Sequence, residues 1–265
     1  MKNHHIKYQL LAASLLTTAI MAGNQAHAAI ITNGDFAANS VTDLTGGLYG
    51  WTSKGSVQVQ PSVLPSGFRQ DSQFGLIPGP ATHHAILGSG GLSSGIFNQN
   101  GSPPVSTTSL ENFFKPTSDN WAALTLNSSG GSAIQQTFSS AVGQKLSFNW
   151  NFFSNAPDVT KNDSAFLVLD GKVNIFANTN TSRYEALPSW DYVLTYQTGY
   201  GKEFLDLAAG VHTLSFGIID GGAYQGSALA LTNVQLNSVP LPAACWLFLI
   251  GVVGLFKCSH QFKHA

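Results

Sequence analysis

The sequence predicts an all-β protein, a jelly-roll-like β-sandwich flanked by an N-terminal leader and a short C-terminal hydrophobic helix. Three observations predict it. Short runs alternate apolar and polar residues with a period of two, which places one face of each run on a core. Gly, Asn and Asp clusters punctuate those runs at strand-and-turn spacing. The composition has 27 Gly and only 9% charged residues, which suits tight turns and disfavours long surface helices.

The elements follow in chain order. Lys2 and Lys7 form a basic start, Leu10 to Ala22 an apolar stretch, and Ala26-His27-Ala28 a small-x-small exit. This is the pattern of a secretory signal peptide cut after Ala28, and it makes the Sec machinery a partner. Ile30-Ile31-Thr32 reads as a short strand running into an Asn33-Gly34 turn, and Val57 to Gln60 as an alternating strand. Residues 61 to 118 are rich in Pro, Gly, Ser and Asn; within them Ala81 to Leu87 reads as a strand and Gly88 to Pro104 as a long loop. Trp121 to Leu126 and Ala133 to Phe138 read as strands around a Gly130-Gly131 turn. Leu146, Phe148, Trp150 and Phe152 share one strand face. Asn162 to Asp170 ends in an Asp170-Gly171 hairpin turn. Tyr192 to Tyr196, Glu203 to Leu207, Val211 to Ile219 and Ser227 to Leu236 complete a series of about eleven strands. The expected domains are a leader (1–28), a sandwich (29–237) and a tail (238–265).

Charge and motifs exclude several functions. The formal net charge is −1 with no basic stripe, so nucleic acid is not an expected partner. Both cysteines, Cys245 and Cys258, lie in the tail, so the sandwich holds together on its core without disulfides. Nucleophile-elbow, zinc-type and phosphate-loop spacings are absent, and no catalytic residue is expected. The acids Asp158, Asp163, Asp170, Asp191, Glu203, Asp206 and Asp220 fall mostly at turns or strand ends. A glycan-active enzyme requires a clustered, partly buried carboxylate pair among them. His83 and His84 are neighbours on a strand, so they face opposite sides and do not share an ion; they read as surface or loop histidines. Tyr49, Tyr184, Trp190, Tyr200 and Tyr224 sit near expected loops as candidate sugar-stacking rings, while Trp51, Trp121 and Trp150 belong to the core.

The tail reads Val239-Pro240-Leu241-Pro242-Ala243-Ala244, then an apolar run to Phe256 and a basic end at Lys257. The apolar run is about 14 residues, against roughly 20 for an unassisted span. This pattern resembles the PEP-CTERM sorting signal of Gram-negative bacteria. The resemblance implies recognition by a membrane exosortase, transient residence in the inner membrane through the C-terminal helix, and delivery to the cell envelope, surface or extracellular matrix. Residues 119 to 237 also resemble a recurring ectodomain of PEP-CTERM proteins. The matching stretches include Ile134-Gln135-Gln136-Thr137-Phe138, Leu146 to Phe152 and Ser227 to Leu236. It implies an exported, non-catalytic surface or matrix protein associated with exopolysaccharide or biofilm. The Asn33-Gly34-Asp35-Phe36 … Gly50-Trp51 opening resembles the start of carbohydrate-binding jelly rolls. That resemblance makes a carbohydrate-binding module the first alternative and a secreted glycan-active enzyme the second. It also implies a structural calcium, with Asn33, Asp35 and Asn233 as candidate ligands joining the first strand to the last. No other cofactor is expected.

Overall fold

The structure, a computed structural model, describes residues 30–38, 46–61, 82–90, 103–117, 120–154, 162–179, 185–186, 194, 196–222 and 226–238. The signal peptide with Ala26 and Ala28, the tail from Val239 to Ala244 and beyond, Asp158, Asp191, Tyr184, Trp190 and Tyr224 lie outside the described residues.

The described chain is a jelly-roll-like β-sandwich, all of whose ladders are antiparallel. Its strands are β1 (Thr52–Lys54), β2 (Val57–Pro61), β3 (His83–Gly88), β4 (Gly130–Ser140), β5 (Gln144–Ser154) and β6 (Ser164–Leu169). They continue with β7 (Lys172–Asn178), β8 (Glu185–Ala186), β9 (Tyr196–Gln197), β10 (Gly201–Asp206), β11 (Gly210–Asp220) and β12 (Ala228–Ser238). One sheet runs β1-β4-β11-β6-β7; the other runs β2-β3-β12-β5-β9-β8, with β10 also on β5.

The core between the sheets follows the period-two pattern. Leu146, Phe148 and Phe152 of β5 point inward with Trp150 packed against them, as expected. They meet Leu214, Phe216 and Ile218 of β11; the rings of Phe148 and Phe216 contact edge to face at 4.8 Å between centroids. Trp51 is buried between Phe36 and Phe216 and donates from Nε1 to Asn33 O. The Asp170-Gly171 turn joins β6 to β7 with φ of 52° and 81°, the left-handed pair that a two-residue hairpin turn requires.

Two expected strands are not strands. Residues 30–36 form a turn, not an extended segment. Asn33 and Phe36 take φ of 51° and 57°, and the Asn33 carboxamide donates to Gly47 O and Tyr49 O. A side chain, Gln136, supplies the partner that an adjacent strand would have given Thr32. Trp121 to Leu126 is also not extended: Asn120–Thr125 is a helix, α2. Its alanine pair favours the helix, and Trp121 and Leu124, three apart, reach the same surface.

A preceding helix, α1 (Thr107–Phe114), starts where Ser106 caps it by accepting from Ser109 N, and buries Leu110 and Phe114 four apart. Together α1 and α2 cover the outer face of the five-stranded sheet. Phe114 and Trp121 pack on Phe166, and Gly217 leaves the space that the Phe166 and Phe114 rings fill. The other sheet carries no helix on its outer face among the described residues, so that face is where polar side chains collect.

Candidate functional site

The outer face of the second sheet is built by strand alternation. Residues that oppose the inward Leu229, Leu231, Phe148 and Phe152 rows must point away from the core. These are Gln58 and Gln60 on β2, His84 on β3, Ala228, Ala230 and Thr232 on β12, and Ser147, Asn149 and Asn151 on β5. Tyr200, Lys202 and Phe204 extend the face at β10, where Lys202 pairs with Asn149 and Phe204 with Ser147. Ala228 and Ala230 are fully buried, with Gly88 and Phe153 opposite the first and Ile86 and Asn151 opposite the second.

This face has a covered half and an open half. Gln58, Gln60, His84 and Thr232 are buried, and Thr232 Oγ1 donates to His83 O. His84 is therefore not the expected surface histidine. Burial, with the charge of His83 beside it, pushes its pKa down to about 4. The open half lies along the β5–β10 seam. Phe204 is 57% exposed there, with Lys202 Nζ 5.0 Å from its ring centroid. Asn149 is half-buried beside it. Asn151 is buried and its carboxamide is engaged on both sides: its Nδ2 donates to Gln197 Oε1 at 2.9 Å and its Oδ1 accepts from Thr198 Oγ1 at 3.2 Å. Tyr200 is half-buried with its ring 5.8 Å from that of His84, and its hydroxyl is buried with no hydrogen-bond partner among the described residues. Burial raises the Tyr200 pKa well above its ordinary value, so the phenol is a neutral donor at working pH.

Sequence reasoning named Tyr200 among the rings but missed Phe204. The available signal was the alternation of β10, where Lys202, Phe204 and Asp206 are exposed and Glu203 and Leu205 are half-buried. Tyr49 is exposed as expected, on the first loop and away from this seam.

Two acid clusters deserve chemical scrutiny. Asp163 and Asp220, 2% and 5% exposed, meet at one end of the sandwich. Asp163 accepts from Gly221 N at 2.8 Å, Ser227 Oγ at 2.6 Å and Ser89 Oγ at 3.3 Å; Asp220 accepts from Ser129 Oγ at 2.6 Å and Gly222 N at 3.0 Å. Burial, reinforced by Asp220, raises Asp163 to about 6 against these donors. The pair is clustered as an enzyme would require. Glycosidase carboxyls, however, stand about 5 to 9.5 Å apart to admit a sugar or water. These two are in hydrogen-bonding contact, closed in and engaged by backbone and serine donors, so the arrangement suits a clasp between the sheets.

The second cluster has the atom order of a nucleophilic triad. His212 Nδ1 lies 2.7 Å from Asp170 Oδ2 and Nε2 lies 2.9 Å from Ser140 Oγ. The wiring is not that of a nucleophile. Ser140 Oγ donates to Ala208 O, and Nε2 faces the same carbonyl at 3.0 Å, so the ring must hold a proton there. Burial works against that charge, but the Asp170 carboxylate and Ala208 O outweigh it and raise the His212 pKa. The cluster ties β4, β11 and the β6–β7 turn together.

The candidate calcium ligands are placed as follows. Asn33 Oδ1 accepts from Ala38 N and Asp35 Oδ1 from Ala37 N, both as turn bonds. Asn233 sits at φ 51° in a bulge of β12. The first segment does meet the last strand beside these residues, through Val234 N donating to Gly34 O at 2.9 Å. Among the described residues no group of three or more His, Cys, Asp or Glu converges on one point.

The topology defines a jelly-roll-like β-sandwich with a polar seam on one sheet face. Solved structures with a related arrangement of strands include TmCBM61 in complex with β-1,4-galactotriose, at 8% identity over 72% of this chain and 90% of that chain, TM-score 0.33. Caldicellulosiruptor saccharolyticus CBM27-1 in complex with mannohexaose is similar at 9% identity over 70% of this chain and 88% of that one, TM-score 0.32. Arabinose-bound MgGH51 α-L-arabinofuranosidase is similar at 14% identity over 78% of this chain but 26% of its own, TM-score 0.34. No protein-family model matches the sequence, and neither does any curated protein.

Proposed function

We propose that the protein is an exported, non-catalytic glycan-binding protein of the cell surface or extracellular matrix. The observation that carries this reading is the β5–β10 seam, which sets the exposed Phe204 ring and the exposed Lys202 beside the half-buried Asn149 carboxamide. An aromatic face packs against the C–H face of a sugar, and carboxamides exchange hydrogen bonds with its hydroxyls. In this reading the leader delivers the chain to the Sec machinery. The Val239–Ala244 motif presents the tail to exosortase, the tail helix holds the chain briefly in the inner membrane, and exopolysaccharide is the partner at the surface or in biofilm.

The test is affinity electrophoresis of the full chain in gels containing neutral polysaccharides and the host's exopolysaccharide. The expected result is retardation by at least one polysaccharide, lost in Phe204→Ala and in Asn149→Ala. Migration unaffected by every polysaccharide would remove the glycan reading. The sorting step is tested separately by intact mass from hosts with and without exosortase; an identical C-terminus in both would remove that step alone.

A further inference from the structure

A second recess lies away from the seam, on the helix side of the sandwich. It is a cleft of about 360 Å³ between the end of α2, the turn after it, and the near ends of β6, β7 and β11. Its walls are of two kinds. Leu126, 73% exposed, and Ile175, 42% exposed, present apolar surface. Asn127, Asn162, Ser128 and Ser164 present amides and hydroxyls. Among the described residues no charged one lines it.

The polar walls are held in position from behind. Asn127 is fixed at φ 68°, a left-handed conformation that Asn tolerates, while Ser128 Oγ donates to Leu124 O. Asn162 and Ser164 flank the buried Asp163, and Gly221 follows the buried Asp220. The Asp163–Asp220 clasp thus anchors Gly221 and Gly222 through their N–H groups and Ser129 through its hydroxyl. The carboxamides of Asn127 and Asn162 make no hydrogen bond to any described residue, whereas the hydroxyl of Ser164 donates to Asn162 O. Two amides without a partner among the described residues, beside two exposed aliphatic side chains on a backbone pinned by buried bonds, make a small recess at the lower end of ligand-pocket sizes, about 300 to 1,000 Å³.

We infer that this cleft is a second ligand site, independent of the β5–β10 seam, and that it takes a single uncharged sugar unit. The aliphatic walls match the C–H face of a pyranose and the amides its hydroxyls. An anionic sugar finds no cation among the described wall residues and approaches a buried pair of acids, so a uronate is disfavoured. A free hexose and the end of a neutral chain share this chemistry.

The experiment is backbone chemical-shift mapping on the full chain with D-glucose, D-galactose, D-mannose, a neutral trisaccharide of each, and D-glucuronate. The expected result is saturable shifts at Asn127, Ser128, Asn162 and Gly221 with at least one neutral sugar and none there with glucuronate. Shifts by the trisaccharide as well as the hexose mark a chain end as the ligand; shifts by the hexose alone mark a free sugar. Asn127→Gly, which suits the left-handed backbone, combined with Asn162→Ala weakens binding about tenfold or more. Phe204→Ala leaves it unchanged, so failure at the seam and failure at the cleft are separable. No shifts with any neutral sugar, equal shifts with glucuronate, or unweakened binding in the Asn variants would each overturn the inference.

Discussion

The Gln136 carboxamide acts on Thr32 as a neighbouring strand would. Its Oε1 accepts from Thr32 N at 2.7 Å and its Nε2 donates to Thr32 O at 2.9 Å, with a further bond to Gly50 O at 2.8 Å. One side chain thereby holds the segment that carries Phe36 into the core.

Replacing Gln136 by Leu keeps bulk but leaves the Thr32 backbone and Gly50 O without these partners. Thr32 and Gly50 are exposed and these bonds are part-buried, so the expected cost is about 1 to 3 kcal/mol. Urea unfolding should show a lower midpoint with an unchanged slope. A loss under about 1 kcal/mol would mean water takes over these bonds.

Gly34 approaches the last strand so closely that an added Cβ would meet Val234 O, a backbone atom that cannot rotate aside. Gly34→Ala should therefore destabilise by about 1 to 3 kcal/mol through overpacking. Thermal unfolding checks it, and a variant as stable as the parent would show that the turn shifts freely.

The Asp163 pKa is raised to about 6, above its unfolded value of 3.8. A raised acid contributes stability that is fully present below the unfolded pKa and is lost as pH rises through about 6. Asp163→Asn removes the ionisation and keeps an acceptor for Gly221 N. The variant should gain stability relative to the parent as pH rises from 4 to 7. Comparing the variant with the parent at each pH cancels the opposing contribution of His84, whose lowered pKa acts over the same range. A pH-independent difference between the two melting temperatures would be inconsistent with this ionisation.

The His212 pKa is raised by Asp170 and Ala208 O against the effect of burial. Stability from this contact is complete below the unfolded pKa and fades as pH rises through the folded value. His212→Gln should be most destabilising in acid and less so in alkali. A fluorophosphonate probe should leave Ser140 unmodified; covalent labelling of Ser140 would show that the triad is chemically competent after all.

Much of the sandwich is legible in the sequence because alternation reports directly on burial. The β5 face and the Asp170-Gly171 turn follow from local pattern alone. Where a local pattern admits two periods, it misleads: Trp121-Ala122-Ala123-Leu124 alternates loosely as a strand but also spaces Trp121 and Leu124 as a helix. The Phe166 surface that decides between them lies some forty residues on. Thr32 looks like strand because its partner is a side chain, which no periodicity reveals. The site is less legible still. Asp163 meets Asp220, and His212 meets Ser140 and Asp170, only through long-range pairing, and each of these residues looks ordinary in its own neighbourhood. Phe204 stands out only once β10 is known to have one face on Ser147.

The Gly34–Val234 contact joins the first described turn to the last strand, two hundred residues apart. A chain that emerges N-terminus first, from a ribosome or through a translocation channel, cannot complete this closure until β12 is out. The N-terminal turn and Phe36 must wait for β12, which also separates β3 from β5 in the middle of its sheet. The last closure of the sandwich therefore waits for β12.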